Sequence, residues 1–143
     1  MKIALGADHG GFELKEKVKT HLIENGYEVL DLGTNSNDSV DYPEFGHAVG
    51  HAVAEKKAEF GIVICGTGIG ISIAANKVTG IRAALCTNTT MARLTREHNN
   101  ANILAMGGRI VGDVLALEMV DIFLATKFQG GRHEKRINKI ETI

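Results

Sequence analysis

The stretch Phe60-Gly61-Ile62-Val63-Ile64-Cys65-Gly66-Thr67-Gly68-Ile69-Gly70 decides the fold. Its first six residues are a continuous apolar run, the pattern of a strand covered on both faces in a parallel sheet. A turn spaced by glycines follows, and Ile73-Ala74-Ala75 continues it as helix. Strand, tight turn and helix in that order make one unit of a parallel α/β sheet.

The same unit recurs outward in both directions. Toward the N-terminus, Lys2 to Gly6 is a short apolar strand, and Leu14, Val18 and Leu22 fall at helical spacing with Lys15, Glu16 and Lys19 expected on the other side. Asn25-Gly26 stops that helix, and Tyr27 to Gly33 reads as a second strand. Thr34 to Tyr42 is the longest loop, and Pro43 suits the first turn of a helix carrying Phe45, Ala48, Val49, Ala52 and Val53. Toward the C-terminus, Ile81 to Leu85 and Asn102 to Met106 read as further strands, with a helix over Thr89 to Glu97 between them. After Gly112 comes a strongly apolar helix through Val114, Leu117, Val120 and Leu124, expected to contact a second copy as well as the core. The basic tail, Gly130 to Ile143, is predicted helical. Strands alternating with helices five times over give an α/β fold with a mostly parallel sheet, in one domain over residues 1–143.

Composition narrows the function. Hydrophobic residues make up 44% and charged residues 23% of the 143, so the chain can bury a core. With 16 Lys and Arg against 17 Asp and Glu, the net charge of -1 gives no chain-wide attraction to nucleic acid or to an anionic membrane. No apolar run approaches the roughly 18 residues of a membrane span. The N-terminus runs straight into a strand, so a cytoplasmic location is expected. Cys65 and Cys86 form no CxxC pair and have no companion metal-ligand spacing, so each is weighed as a free thiol.

Three segments carry candidate chemistry, and all three are expected to gather outside the carboxyl ends of the strands. Asp8-His9-Gly10-Gly11 sets a carboxylate beside an imidazole, although Asp8 also suits a helix cap. Around Cys65, the glycines allow backbone N–H groups to converge on an anion at a helix start, an environment that favours a thiolate. Gly66, Gly68 and Gly70 do not match the GxGxxG spacing of a dinucleotide site. Cys86 has no such nest and reads as core. The third segment, His98-Asn99-Asn100-Ala101-Asn102, is either a helix end with Asn caps or a proton-transfer His flanked by amides that orient a polyol. His47 and His51, four apart, lack the Glu of a metalloprotease pair and read as surface or packing histidines. Arg132, Lys135, Arg136 and Lys139 share one helix face, either a solvated surface or, through the two arginines, a clamp on one phosphate.

In combination, Gly6-Ala7-Asp8-His9-Gly10-Gly11, Asp41-Tyr42-Pro43, Cys65 to Gly70, Asn76-Lys77, Gly80-Ile81-Arg82-Ala83 and His98 to Asn102 resemble the ribose-5-phosphate isomerase B family over essentially the whole chain. The resemblance implies a Rossmann-like α/β/α sandwich on a five-stranded parallel sheet. It also implies aldose–ketose interconversion of ribose 5-phosphate and ribulose 5-phosphate, with no metal or organic cofactor. By the same resemblance Cys65 is the base, His98 assists ring opening, and Thr67 helps move the hydroxyl proton. Gly66, Gly68, Ile69 and Gly70 supply N–H groups to the oxyanion. Asp8, Tyr42 and Asn99 hold sugar hydroxyls, while His9, Arg109, Arg132 and Arg136 bind the phosphate. The working unit implied is a homodimer or a dimer of dimers with shared active sites, to whose interface the helix at about 130–143 contributes. Two alternatives stay open. One is an isomerase of a six-carbon phosphate, as in the related galactose-6-phosphate isomerases or with allose 6-phosphate. The other is a non-catalytic phosphate-binding module, which has no need of a thiol, an imidazole and an arginine pair together.

Overall fold

The computed structural model describes residues 1–143 and builds the sheet from five strands: β1 (Lys2–Ala7), β2 (Glu28–Asp31), β3 (Phe60–Cys65), β4 (Ala83–Leu85) and β5 (Ile103–Gly107). All pairings are parallel, in the order β2-β1-β3-β5-β4. Six helices connect and flank them: α1 (Phe12–Glu24), α2 (Tyr42–Ala54), α3 (Ile69–Asn76), α4 (Thr89–Asn99), α5 (Asp113–Ala125) and α6 (Arg132–Glu141). No helix is long and apolar enough to cross a membrane.

Period-two alternation along the strands sorts their side chains into two cores. On one face Ile3, Leu5, Ile62, Ile64, Leu104 and Met106 meet α1, α4 and α5 through Leu14, Val18, Ala92, Met119 and Phe123. On the other face Ala4, Val63, Cys65, Ile103 and Ala105 meet α2 and α3 through Val49, Val53, Ile71 and Ala75. The result is the α/β/α sandwich, with β3 central and covered on both faces as its apolar run requires.

One expectation fails here for a physical reason. Lys15, expected on the solvent side of α1, is fully buried because Asp31 at the end of β2 accepts its ammonium. On the apolar helix α5, Ala116, Met119, Val120, Phe123 and Leu124 are consumed by the chain's own core, while Val114 in its first turn is 69% exposed. Further exposed apolar side chains stand elsewhere. Ile69 and Ile73, one turn apart on α3, are 51% and 56% exposed, and Tyr42 at the start of α2 is 41% exposed.

Candidate active site

β1 and β3 are neighbours whose onward connections leave toward opposite edges, to β2 and to β4, so the loops after them open a crevice at their carboxyl ends. Cys65, the last residue of β3, sits at its floor and is 5% exposed. The chain turns at Gly68, whose φ of 81° suits only a residue without Cβ strain, and this places the Gly68 N–H 3.1 Å from the Cys65 sulfur, donating to it. α3 starts at the next residue, so its unpaired N–H groups and positive end face the same point. Thr67 is exposed at the rim, and its hydroxyl accepts from the Ile69 N–H at 3.2 Å. Gly70 lets the Tyr42 ring lie against the loop, since an added Cβ would stand 2.6 Å from Tyr42 Cε1.

The loops after β1 and β5 are knitted to this one. Asp8 is buried, and its Oδ1 accepts from Gly10 N at 2.9 Å and Gly11 N at 3.2 Å; these bonds close the turn before α1, whose N-cap is Gly11, so Asp8 is not the helix cap and its second oxygen stays uncommitted. His9 Nδ1 accepts from Val40 N at 3.2 Å, which leaves the proton on Nε2 as a donor. Gly108 N donates to Cys65 O and Arg109 N to Gly66 O, bringing the Arg109 guanidinium over Gly66. His9, Gly10, Gly108 and Arg109 line a cavity of about 280 Å³. Two further side chains enter it that the sequence reading missed, Glu13 and Asn37. Glu13 follows His9 at i+4, a spacing that could have been noticed. Asn37 sits in the loop before α2 and carries no comparable signal.

His98, Asn99, Arg132 and Arg136 are not in this crevice, which corrects the expectation that three chemical segments share the carboxyl edge. A helix of a parallel sheet runs against its strands, so α4 delivers its C-terminus to the amino edge. There Gly61 N, near the start of β3, donates to Asn102 O. The length of β3 separates the two edges, about 17 Å at the usual rise per residue.

At that far edge the His98 ring stacks on His133 of α6, centroids 4.3 Å apart and planes 14° from parallel. Arg132 and Arg136 flank His133 on the exposed side of α6. The end of α4 is itself tightly held. Arg82 donates to the carbonyls of Asn99 and Asn100 and pairs with Glu141 of α6. Buried Arg96 donates to Ala101 O, Thr126 O and Asn100 Oδ1. Asn100 is a left-handed C-cap and Asn102 bonds to Arg82 N and Gly80 O, so the helix-end reading holds for these two. His98 and Asn99 keep their side chains for other work. The largest cleft, about 700 Å³, also lies here between the end of α3, the start of β4 and the tail of α6; Asn99 lines it, but it holds no thiol.

The remaining candidates behave as core or surface. Cys86 is buried, and burial pushes its thiol up to about 11, which keeps it protonated and inert. His47 and His51 are exposed on α2.

The chain matches the Ribose/Galactose Isomerase family over residues 3–140. It is 50% identical to ribose-5-phosphate isomerase B of Escherichia coli strain K12, over 99% of this chain and 95% of that one. It superimposes on ribose-5-phosphate isomerase B of Clostridium thermocellum with a TM-score of 0.99 and 60% identity, covering 99% of this chain and 96% of the other. The Mycoplasma genitalium ribose-5-phosphate isomerase B, solved with bound ribulose 5-phosphate, superimposes with a TM-score of 0.95 and 43% identity, covering 99% and 94%.

Proposed function

The chain belongs to the Ribose/Galactose Isomerase family, and from that membership we propose that it interconverts D-ribose 5-phosphate and D-ribulose 5-phosphate through an enediolate, with Cys65 as the base. The observation that carries the proposal is the Cys65 sulfur at the mouth of β3, accepting the Gly68 N–H at 3.1 Å where α3 begins. A carbon acid next to a carbonyl needs a base and an anion-stabilising group at adjacent atoms, and this loop supplies both. Cys65 takes the proton from carbon 2 of the open aldose, the carbonyl oxygen becomes the oxyanion, and the N–H groups from Gly66 to Gly70 receive it. Thr67 passes the hydroxyl proton between the two oxygens, and Cys65 returns its proton to carbon 1. Asp8 and Tyr42 hold hydroxyls, and His9 and Arg109 hold the phosphate beside the loop.

Ring opening and full phosphate binding need His98, Asn99, Arg132 and Arg136, which lie a strand's length from Cys65 in one chain. A second copy related by a two-fold axis brings its amino-edge half to the first copy's thiol, and reciprocally, so a homodimer or a pair of dimers holds two shared sites per dimer. The exposed Ile69, Ile73 and Tyr42 beside the thiol loop supply an apolar contact for that copy. Two free thiols suit a reducing compartment, which supports the cytoplasm as the proposed location of the reaction. Incubation with ribose 5-phosphate tests the activity: ketose accumulates with the intact protein and not with Cys65→Ala. No ketose from the intact, folded dimer overturns the proposal.

A further inference from the structure

The His98 imidazole makes no hydrogen bond to its own chain, and what fixes the ring is the face of His133 at 4.3 Å. His133 is a firm support. It is 9% exposed, lies in the first turn of α6, and its backbone N–H donates to Gly130 O. The element that carries it is tied to the end of α4 by the Arg82–Glu141 pair, so the two rings are held as one unit. Burial, and then the positive neighbours His98 of α4 and Arg132 and Arg136 of α6, hold the His133 imidazole below the usual histidine range. A neutral ring tolerates a neighbour that cycles through the charged form, since a cation over an aromatic face is attracted whereas two imidazolium rings repel.

We propose that His133 is a positioning residue for the ring-opening step: its imidazole is the flat face on which the His98 ring lies, fixing the plane in which His98 meets the ring oxygen and anomeric hydroxyl of the sugar. The proposal rests on the reading of His98 as the ring-opening group. A misaligned proton donor costs rate rather than affinity, so the effect falls on kcat and on the cyclic substrate. Exchange of the carbon-1 proton of ribulose 5-phosphate with solvent goes only as far as the enediolate and does not need the step.

The test compares turnover of ribose 5-phosphate with exchange of the carbon-1 proton of ribulose 5-phosphate into D2O. His133→Ala is expected to lower kcat on ribose 5-phosphate by roughly ten- to a hundredfold with little change in KM, and to leave the exchange rate near that of the unaltered enzyme. His133→Phe, which keeps a flat ring, restores most of the loss, and His133→Leu, of similar bulk, does not. Added to His98→Asn, His133→Ala costs nothing further, because the group it positions is gone. Equal losses in turnover and in carbon-1 exchange, or the same loss in the His98→Asn background, overturn the proposal and make His133 a packing residue. Where His133→Ala fails to fold, the Phe and Leu variants decide alone, and equal rates for them overturn it. His98→Asn separates the two levels. If it slows turnover and carbon-1 exchange alike, the ring-opening reading falls and the positioning role with it. If it slows turnover of ribose 5-phosphate but not the exchange while His133→Ala is harmless, only the positioning role falls.

Discussion

Cys65 ends β3 and Cys86 directly follows β4, and both are buried, yet they are chemically opposite. The Cys65 sulfur accepts an N–H at 3.1 Å from a loop that opens to a crevice, whereas the Cys86 sulfur points to the Ala84 carbonyl at 3.7 Å and burial raises its thiol to about 11. Cys65→Ala is therefore expected to abolish turnover while preserving the thermal midpoint and phosphate binding, and Cys86→Ala to leave turnover intact; near-normal turnover without Cys65 would demand another base. At Lys15 a different chemistry holds the fold. Its Nζ lies 2.7 and 2.8 Å from the two oxygens of Asp31, with Lys19 at 3.0 Å. Burial alone would push the Asp31 carboxyl up, but the bonds from Lys15, Gly33 N and Lys19 outweigh it and hold the group below its ordinary value of 3.8. A carboxyl depressed in the folded state adds stability that is fully present above that ordinary value and is lost as pH falls through the folded one. Asp31→Asn should cost about 1–3 kcal/mol near neutral pH, because it leaves the buried ammonium facing a neutral amide, with half-exposed Glu16 at 3.4 Å its remaining charged partner. Thermal midpoints of the two proteins taken from pH 6 to pH 3 should converge at the acid end; a constant gap would remove the pair from the acid response. Periodicity could not show this pair. A lysine at a helical position reads as solvated, and nothing local announces that a carboxylate on another element waits beneath it.

Among the elements, the short edge strand β4 is the least independent. Its outer side is met by the end of α3, where the Asn76 amide donates to Ala83 O at 2.9 Å and accepts from Ala83 N at 2.8 Å, imitating the neighbouring strand that an edge lacks. The bond pair ties the helix that starts at the thiol loop to the strand beyond it. Asn76→Ala should lower stability by about 1–3 kcal/mol, the worth of two neutral hydrogen bonds. Asn76→Asp should do no better, since a carboxylate oxygen then faces the Ala83 carbonyl. Denaturant midpoints measure both, and an Asp variant as stable as the unaltered protein would show that the pairing contributes nothing. β3 was legible to the residue because both its faces are covered and its apolar run is uninterrupted. β4, expected from Ile81 to Leu85, forms only over Ala83–Leu85, because Arg82 N is taken by the Asn102 side chain instead of a strand. α5 is legible only in part. Its apolar positions are real, but the sequence does not say which of them the core consumes, and here Ala116, Met119, Val120, Phe123 and Leu124 go to the core while Val114 stays exposed.

The whole molecule divides its candidate chemistry between two edges of one sheet, thiol and His9–Arg109 at the carboxyl edge, His98, Asn99 and the Arg132–Arg136 pair at the amino edge. Residue types and motifs were legible in the sequence, but their division was not, because His98 precedes a strand and only the direction of the sheet tells which edge that serves. The separation has a consequence that one experiment can read. If a two-fold related copy completes each site, Arg136→Ala damages the site built on the partner's Cys65, and not the one built on its own. Alone, Arg136→Ala should raise KM by roughly ten- to a hundredfold, each factor of ten being about 1.4 kcal/mol of Arg–phosphate interaction. Cys65→Ala alone should be inactive. After exchange of subunits between the two variants in equal amounts, about half of the dimers are mixed, and by two-fold symmetry each of these holds one doubly damaged site and one untouched site, so about a quarter of all sites are intact. Assayed at substrate well below the raised KM, where neither parent contributes appreciably, activity should rise with the fraction of mixed dimers seen by native mass spectrometry and level off near that quarter. Mixed dimers that form without any gain in activity would put Cys65 and Arg136 in the same subunit's pocket, and the sheet's two edges would then have to be reconciled within one chain.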